Sequence, residues 1–206
     1  MSTEGLCKFQ HLITLNGKYF LDEQLLIQAA KQGNRAAFTQ LVERYQHLVF
    51  NTVLGIVQQQ EEAEDTTQEV FVQVFQSIQN FRGDAKFSTW LYRIALTKSL
   101  DVERKKRAKK RFGIFTNLFG MNAEAETVAD FNHPGVALNN KEQAAFLFKA
   151  MKQLPDNQRA AFILIKTEGL SYEETSAILK TSVKAVEALM HRAKENLRKT
   201  LQQYYS

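Results

Sequence analysis

Seven of the nine side chains from Glu103 to Arg111 are Arg or Lys, so this one stretch carries a larger positive excess than the whole chain, whose net charge is +5. Cations at that density suit the phosphates of a nucleic acid, where charge neutralisation dominates affinity. Just upstream stand Phe87, Ser88, Trp90, Tyr92, Arg93 and Lys98, rings and cations together, as on surfaces that hold a single strand by stacking and backbone contact. Both groups also have plainer uses. A cationic helix end suits the helix dipole, and the rings can equally serve a core.

A second constellation lies near the C-terminus. Gly169 marks a turn, Ser171 and Glu174 form the S-x-x-E pattern of a capping box, and Lys180, Thr181 and Ser182 separate a short helix from a longer one. This is helix-turn-helix spacing, in which the second helix enters the DNA major groove. With Val183, Val186, Met190, Ala193 and Leu197 on the buried stripe, Lys184, Glu187, Ala188, His191 and Arg192 face outward. A carboxylate aimed at a groove repels phosphate, so Glu187 suits a cytosine amino group, Ala188 a thymine methyl and Arg192 a phosphate. Helix hairpins without any DNA role share this geometry.

A third group, Glu61, Glu62, Glu64 and Asp65, suits a helix N-terminus. As a metal site it lacks the E-x-x-H partner of a dimetal bundle, and His11, His47, His133 and His191 are scattered. No phosphate-binding loop, dinucleotide fingerprint or nucleophile elbow is present. No enzyme activity, metal, cofactor or small-molecule substrate is therefore expected. The single cysteine, Cys7, cannot form an internal disulfide, which fits a reducing, cytoplasmic setting. No apolar run approaches the roughly 20 residues of a membrane span. Lys8, His11, Asn16 and Lys18 argue against a secretory signal.

The elements that must position these groups are helical. Two prolines, Pro134 and Pro155, and nine glycines leave long stretches unbroken in 206 residues. From Asn34 to about Gln58, Phe38, Leu41, Val42, Tyr45, Val49, Val53 and Ile56 step by three and four. The acidic cluster opens a second helix with Phe71, Val74, Phe75, Ile78 and Phe81 on one face. Asn80 to Asp84 reads as a turn with Gly83 at positive φ, and Ser88 as the N-cap of a helix carrying Leu91, Ile94 and Ala95. Residues 113–138 keep no period, though Phe112, Ile114, Phe115, Leu118 and Phe119 are apolar enough for one short helix. Helical pattern returns near Lys141, with Pro155 in a first turn. The expected fold is all-α: two small helical domains joined by a flexible linker, the C-terminal one a helix-turn-helix. Residues 1–20 are unassigned, 21–112 form the first domain, 113–138 the linker and 139–206 the second domain.

The motif F-S-T-W-L-Y-R-I-A at 87–95, within the stretch 64–107, resembles the promoter-melting domain of extracytoplasmic-function sigma factors. L-S-Y-E-E at 170–174 with R-A-K-x-x-L at 192–197, within 154–199, is similar to the second DNA-binding domain of the same family. The resemblance implies a protein that binds core RNA polymerase, recognises −10 and −35 promoter elements and helps open the DNA. It places Glu61, Glu62, Glu64, Asp65, Gln68 and Glu69 against the β′ clamp helices, and the second domain beside the β flap. Asn80, Phe81, Arg82 and Asp84 would hold a flipped −10 base. Phe87, Ser88, Trp90, Arg93, Lys98, Arg104, Lys105 and Arg107 would complete the −10 surface. Ser171, Tyr172, Ser182, Lys184, Glu187, Ala188, His191 and Arg192 would meet the −35 element. An anti-sigma protein is a further implied partner. This chain has Thr97 where the family usually has Asn, Thr175-Ser176 in place of Ile-Ala, and Glu187-Ala188 where basic residues are usual. A stand-alone helix-turn-helix regulator and an interaction-only polymerase adaptor are the alternative readings; only a sigma factor would start promoter-specific transcription with bare core polymerase.

Overall fold

The structure is a computed structural model that describes the backbone of residues 13–15, 18–20, 22–117 and 141–205, and the side chains of 22–110 and 146–202. Strands Ile13–Leu15 (β1) and Lys18–Phe20 (β2) form an antiparallel ribbon with Ile13 opposite Phe20 and Leu15 opposite Lys18. This ribbon lies in the stretch the sequence left unassigned. All other elements described are helical, as expected.

Asp22 starts Glu23–Lys31 (α1) by accepting from the Gln24 N–H at 3.0 Å, with Glu23 and Lys31 at the helix ends that suit their charges. Asn34 does the same for Arg35–Val57 (α2), accepting from the Ala37 N–H at 3.1 Å. That helix ends at Gln58, held at φ 58 while its side chain donates to the Phe148 carbonyl at 2.9 Å. Gln60–Ser77 (α3) passes into a short 3-10 turn, Ile78–Asn80, and a loop leads to Phe87–Asn117 (α4). The core of this half is built around α2, whose Leu41, Val49, Val53 and Ile56 pack with Val70, Val74, Leu91 and Ala95. The second half comprises Lys141–Lys152 (α5), Asp156–Phe162 (α6) running into a π-helical turn at Ile163–Thr167, Tyr172–Leu179 (α7) and Val183–Tyr205 (α8).

Three expectations change. Helix α4 begins at Phe87, and the Trp90 N–H bonds back to the Lys86 carbonyl at 3.3 Å, so Ser88 lies inside the first turn and is not its N-cap. Phe75 leaves the buried stripe: it is 48% exposed, and Val70, Val74 and Ile78 fill that face. Helix α4 also continues through 113–117, and residues 118–138 of the expected linker lie outside the described residues.

The two halves share one buried cluster, with α4 against α7 and α2 against the Ile163–Thr167 turn. One tight approach is at Gly55. A Cβ there would lie 3.2 Å from the Ile163 Cγ2, so the absence of a side chain is what lets the halves meet. Gly inside a helix costs about 1 kcal/mol relative to Ala, a penalty this contact offsets. Gly55→Leu should overfill the interface, weaken the packing of the two halves by about 1–3 kcal/mol, and leave each half helical. Small-angle scattering should show a larger radius of gyration with an unchanged far-ultraviolet dichroism spectrum. An unchanged radius would contradict this role for Gly55.

Candidate nucleic-acid interface

The loop after α3 is backed by packed rings. Phe81 meets Phe87 edge-on at 5.2 Å and Trp90 at 5.3 Å, Phe87 and Trp90 are 5.5 Å apart, and Tyr45 closes on Phe87 from α2 at 5.5 Å. The positive φ of Gly83, 82°, turns the chain as expected. Phe81 and Trp90 stay half-buried, while Asn80, Arg82 and Asp84 form an exposed rim. Phe87 departs from its expected place on the DNA surface. It is only 2% exposed, because the rings of Tyr45, Phe81 and Trp90 close over it, so it supports Phe81 and Trp90 and cannot itself meet a base. Apolar ring faces with polar and cationic groups at the rim can stack one unpaired base.

Helix α3 carries the acidic face. Glu61, Glu64, Asp65, Gln68 and Glu69 are exposed. Glu62 is not part of the open surface, because Lys106 of α4 pairs with it and also donates to Gln59 at 2.6 Å. Asp65, Gln68, Glu69, Val72, Gln76 and Lys98 line a shallow groove, with Lys98 3.8 Å from Glu69. Val72, 56% exposed, is an apolar member of this face that periodicity did not single out, and Phe75, expected in the buried stripe, is exposed as well. An i, i+3, i+4, i+7 spacing joins Asp65, Gln68, Glu69 and Val72 on one side, and that spacing was the available signal.

Three cations of α4, together with Lys86 just before it, reach the second half. Arg93 donates to the Ala177 carbonyl at 2.6 Å and the Ile178 carbonyl at 3.2 Å. Arg104 and Arg107 reach the two oxygens of Asp156 at 2.9 and 2.6 Å, and Lys86 meets Glu174 at 3.1 Å. Beneath them Glu103 and Arg159, 1% and 0% exposed, face each other at 3.6 Å. Lys105 is exposed, and the Thr97 hydroxyl donates to the Arg93 carbonyl.

The helix-turn-helix forms as the sequence predicted. Ser171 and Glu174 complete the capping box, Lys180 ends α7 in the left-handed region at φ 51, and the Ser182 hydroxyl accepts from the Ala185 N–H at 3.2 Å. The hydroxyls of Ser171 and Ser182 are thus engaged in caps, and Tyr172 is half-buried. Val186, Met190, Ala193 and Leu197 are buried. Lys184, Glu187, His191 and Arg192 are exposed on the opposite face, with Ala188 half-buried among them and His191 3.7 Å from Glu195.

Residues 41–109 match sigma-70 region 2 and residues 138–197 match sigma-70 region 4. The chain is 32% identical over 186 residues to the RNA polymerase sigma-H factor of Pseudomonas aeruginosa, covering 87% of this chain and 94% of that one. It is 31% identical over 176 residues to the ECF RNA polymerase sigma-E factor of Escherichia coli K12, covering 85% and 92%. The chain belongs to the extracytoplasmic-function sigma factors of the sigma-70 family. Among solved structures, CnrH in complex with the cytosolic domain of CnrY matches with a TM-score of 0.62 and 25% identity over 88% of this chain and 97% of that one. RpoE bound to the anti-sigma factor NepR from Bartonella quintana shares the fold, with a TM-score of 0.55 and 21% identity over 80% and 96%.

Charge at the junction of this sigma factor's halves responds to proton concentration. Tyr92 of α4 donates to Glu168 at 3.2 Å, and burial pushes the Glu168 carboxyl up to about 7 despite that bond. At Asp156 burial pushes upward, but hydrogen bonds from Arg107 and Arg104 outweigh it and hold the carboxyl below its ordinary value. The two act in different windows. If Glu168 returns to its ordinary 4.5 when the halves separate, the packed arrangement binds its proton more tightly; packing is then favoured at low pH and weakens as pH rises from 4.5 to about 7. The Asp156 contribution is lost only when pH falls below the ordinary carboxylate range. Energy transfer between dyes at Gln46 and Lys199, in a Cys7→Ser background, should therefore fall as pH rises from 4.5 to about 7, and Glu168→Gln should flatten the profile. A profile insensitive to Glu168→Gln would show that this carboxyl does not govern the junction.

Proposed function

We propose that this sigma factor binds core RNA polymerase through the exposed face of α3, captures an unpaired −10 base in the 80–87 loop, tracks the adjacent backbone with α4, and reads the −35 element with α8. The observation that carries the reading is the ring-backed loop set directly against the cationic helix α4, on the same chain as a fully capped helix-turn-helix. A base out of its stack costs a few kcal/mol, and the pocket repays it by stacking on Phe81 and Trp90. No bond is made or broken. Among the described residues no cluster of three or more metal-ligating side chains occurs, and no helix is long and apolar enough to cross a membrane.

Glu61, Glu64, Asp65, Gln68 and Glu69 supply charge for a basic partner surface such as the β′ clamp helices, with Val72 adding apolar contact; the second half sits near the β flap. Arg93, Arg104 and Arg107 must leave their oxygens on α6 and α7 before they can hold phosphates, so promoter binding requires the halves to separate. The relatives solved as complexes with CnrY and NepR support a protein partner of anti-sigma type. Cytoplasmic action follows from the polymerase it serves.

The direct test is transcription in vitro, where adding this chain to bare core polymerase should give initiation at a restricted set of promoters; a DNA-binding regulator or a polymerase adaptor would give none. Reversing Glu64 and Asp65 to Lys should weaken core binding with helical content unchanged, and undiminished retention of polymerase in a pull-down would remove α3 from that role. On duplexes with each −35 position varied in turn, Glu187→Ala should relax preference at one base pair by roughly 1–3 kcal/mol. Arg192→Ala should instead lower affinity for every sequence and flatten the salt dependence. An unchanged preference profile for Glu187→Ala would return that side chain to a solubilising charge.

A further inference from the structure

Helix α1 stands across from the 81–87 loop, and a cleft of about 640 Å³ lies between them. Its α1 wall presents Gln24, Ile27, Gln28 and Lys31; its opposite wall runs from Phe81 to Phe87. The two walls are tied at one point, where the Lys31 Nζ donates to the Phe81 carbonyl at 2.9 Å. That bond fixes the backbone of the residue whose ring opens the aromatic stack, and it is charge-assisted and partly buried. Glu23, also on the α1 wall, is already committed: the Tyr45 hydroxyl donates to it and Arg44 lies 3.9 Å away. Gln24 and Gln28 are both exposed and carry amides that can donate and accept at once.

The cleft is thus apolar at Ile27 and Phe81, amide-lined on one side, and charged on its rim, where Arg82 stands beside Asp84 and Lys86 pairs with Glu174. An unpaired nucleobase still joined to its sugar and phosphate matches this order of groups: a flat apolar body, a hydrogen-bonding edge and an anionic link. We infer that α1 is the second wall of the base-capture site, with Lys31 as a positioning residue for the loop and Gln24 and Gln28 as the groups that read the edge of the captured base. This rests on the proposal that the loop captures a −10 base, and it adds specificity residues from an element that proposal leaves out.

The test uses holoenzyme, core polymerase with the full chain, on a promoter selected by transcription with the unaltered protein. 2-Aminopurine placed at each non-template −10 position in turn reports unstacking by its fluorescence. Lys31→Met should cut the signal at the captured position about tenfold, Lys31→Arg should restore most of it, and Tm should stay close to that of the parent. Gln24→Ala with Gln28→Ala should leave the signal but change the preference among the four bases at that position about fivefold or more. No fluorescence rise at any position with the parent protein would overturn loop capture and this inference together. A normal rise with the parent, unaltered in amplitude by Lys31→Met and in base preference by the double glutamine variant, would overturn the α1 wall alone.

Discussion

A guanidinium can face only one set of oxygens at a time, and the arrangement of this molecule follows from where three of them point. Arg93 is held by carbonyls at the end of α7, and Arg104 and Arg107 share the carboxylate of Asp156. On the proposed reading the same three cations hold promoter phosphates. Binding DNA and keeping the halves packed are then competing uses of the same side chains, and one state excludes the other without any further device. Asp156 is mostly buried and shared by several guanidinium groups, so releasing these cations requires phosphates to replace the oxygens they leave.

The buried pair beneath them points the same way. Glu103 and Arg159 are removed from water, yet Glu103 Oε1 and the Arg159 Nε and Nη1 have no hydrogen-bond partner. Attraction across 3.6 Å in a dry site is set against the desolvation of two charges, and such pairs often come out near neutral. Removing one partner alone is costly, because the other charge stays buried. Separating the halves exposes both together, so that penalty does not arise. Apolar packing across the junction, where Ile163 lies against Gly55 and both halves contribute to one buried cluster, supplies what the charges do not.

What the sequence made legible was local. The cap at Ser171, the turns at Gly83 and Gly169, and the stripe through Val186, Met190 and Ala193 depend on neighbours within a few residues, and all appear as expected. Apart from Ser88, which α4 takes into its first turn, the positions that moved are those whose fate is decided by a distant segment. Phe87 is buried because Tyr45 arrives from α2, and Glu62 is withdrawn because Lys106 arrives from α4. Phe75 sits at the margin of its helix stripe, where helical spacing alone cannot tell core from surface, and it is held only edge-on by Phe38 at 5.0 Å. Lys31 and its bond to Phe81 span 50 residues, which no periodicity can register.

The two DNA-facing surfaces are not masked equally, and the difference has a physical consequence. Lys184, Glu187 and Arg192 on α8 are exposed in the packed arrangement, whereas Arg93, Lys98, Arg104, Lys106 and Arg107 on α4 each have an oxygen partner within the chain. The exposed α8 face mixes a carboxylate with its cations, so it attracts phosphate weakly without the right bases. The α4 row is the surface that would bind any nucleic acid, since phosphate contact carries no sequence information. On the proposed reading, keeping most of the α4 cations paired and the discriminating helix open lowers non-specific affinity while preserving the surface that selects. If the halves part on polymerase as proposed, the −35 contact and the freed α4 cations act on one duplex, and the second engages at the high effective concentration set by the first.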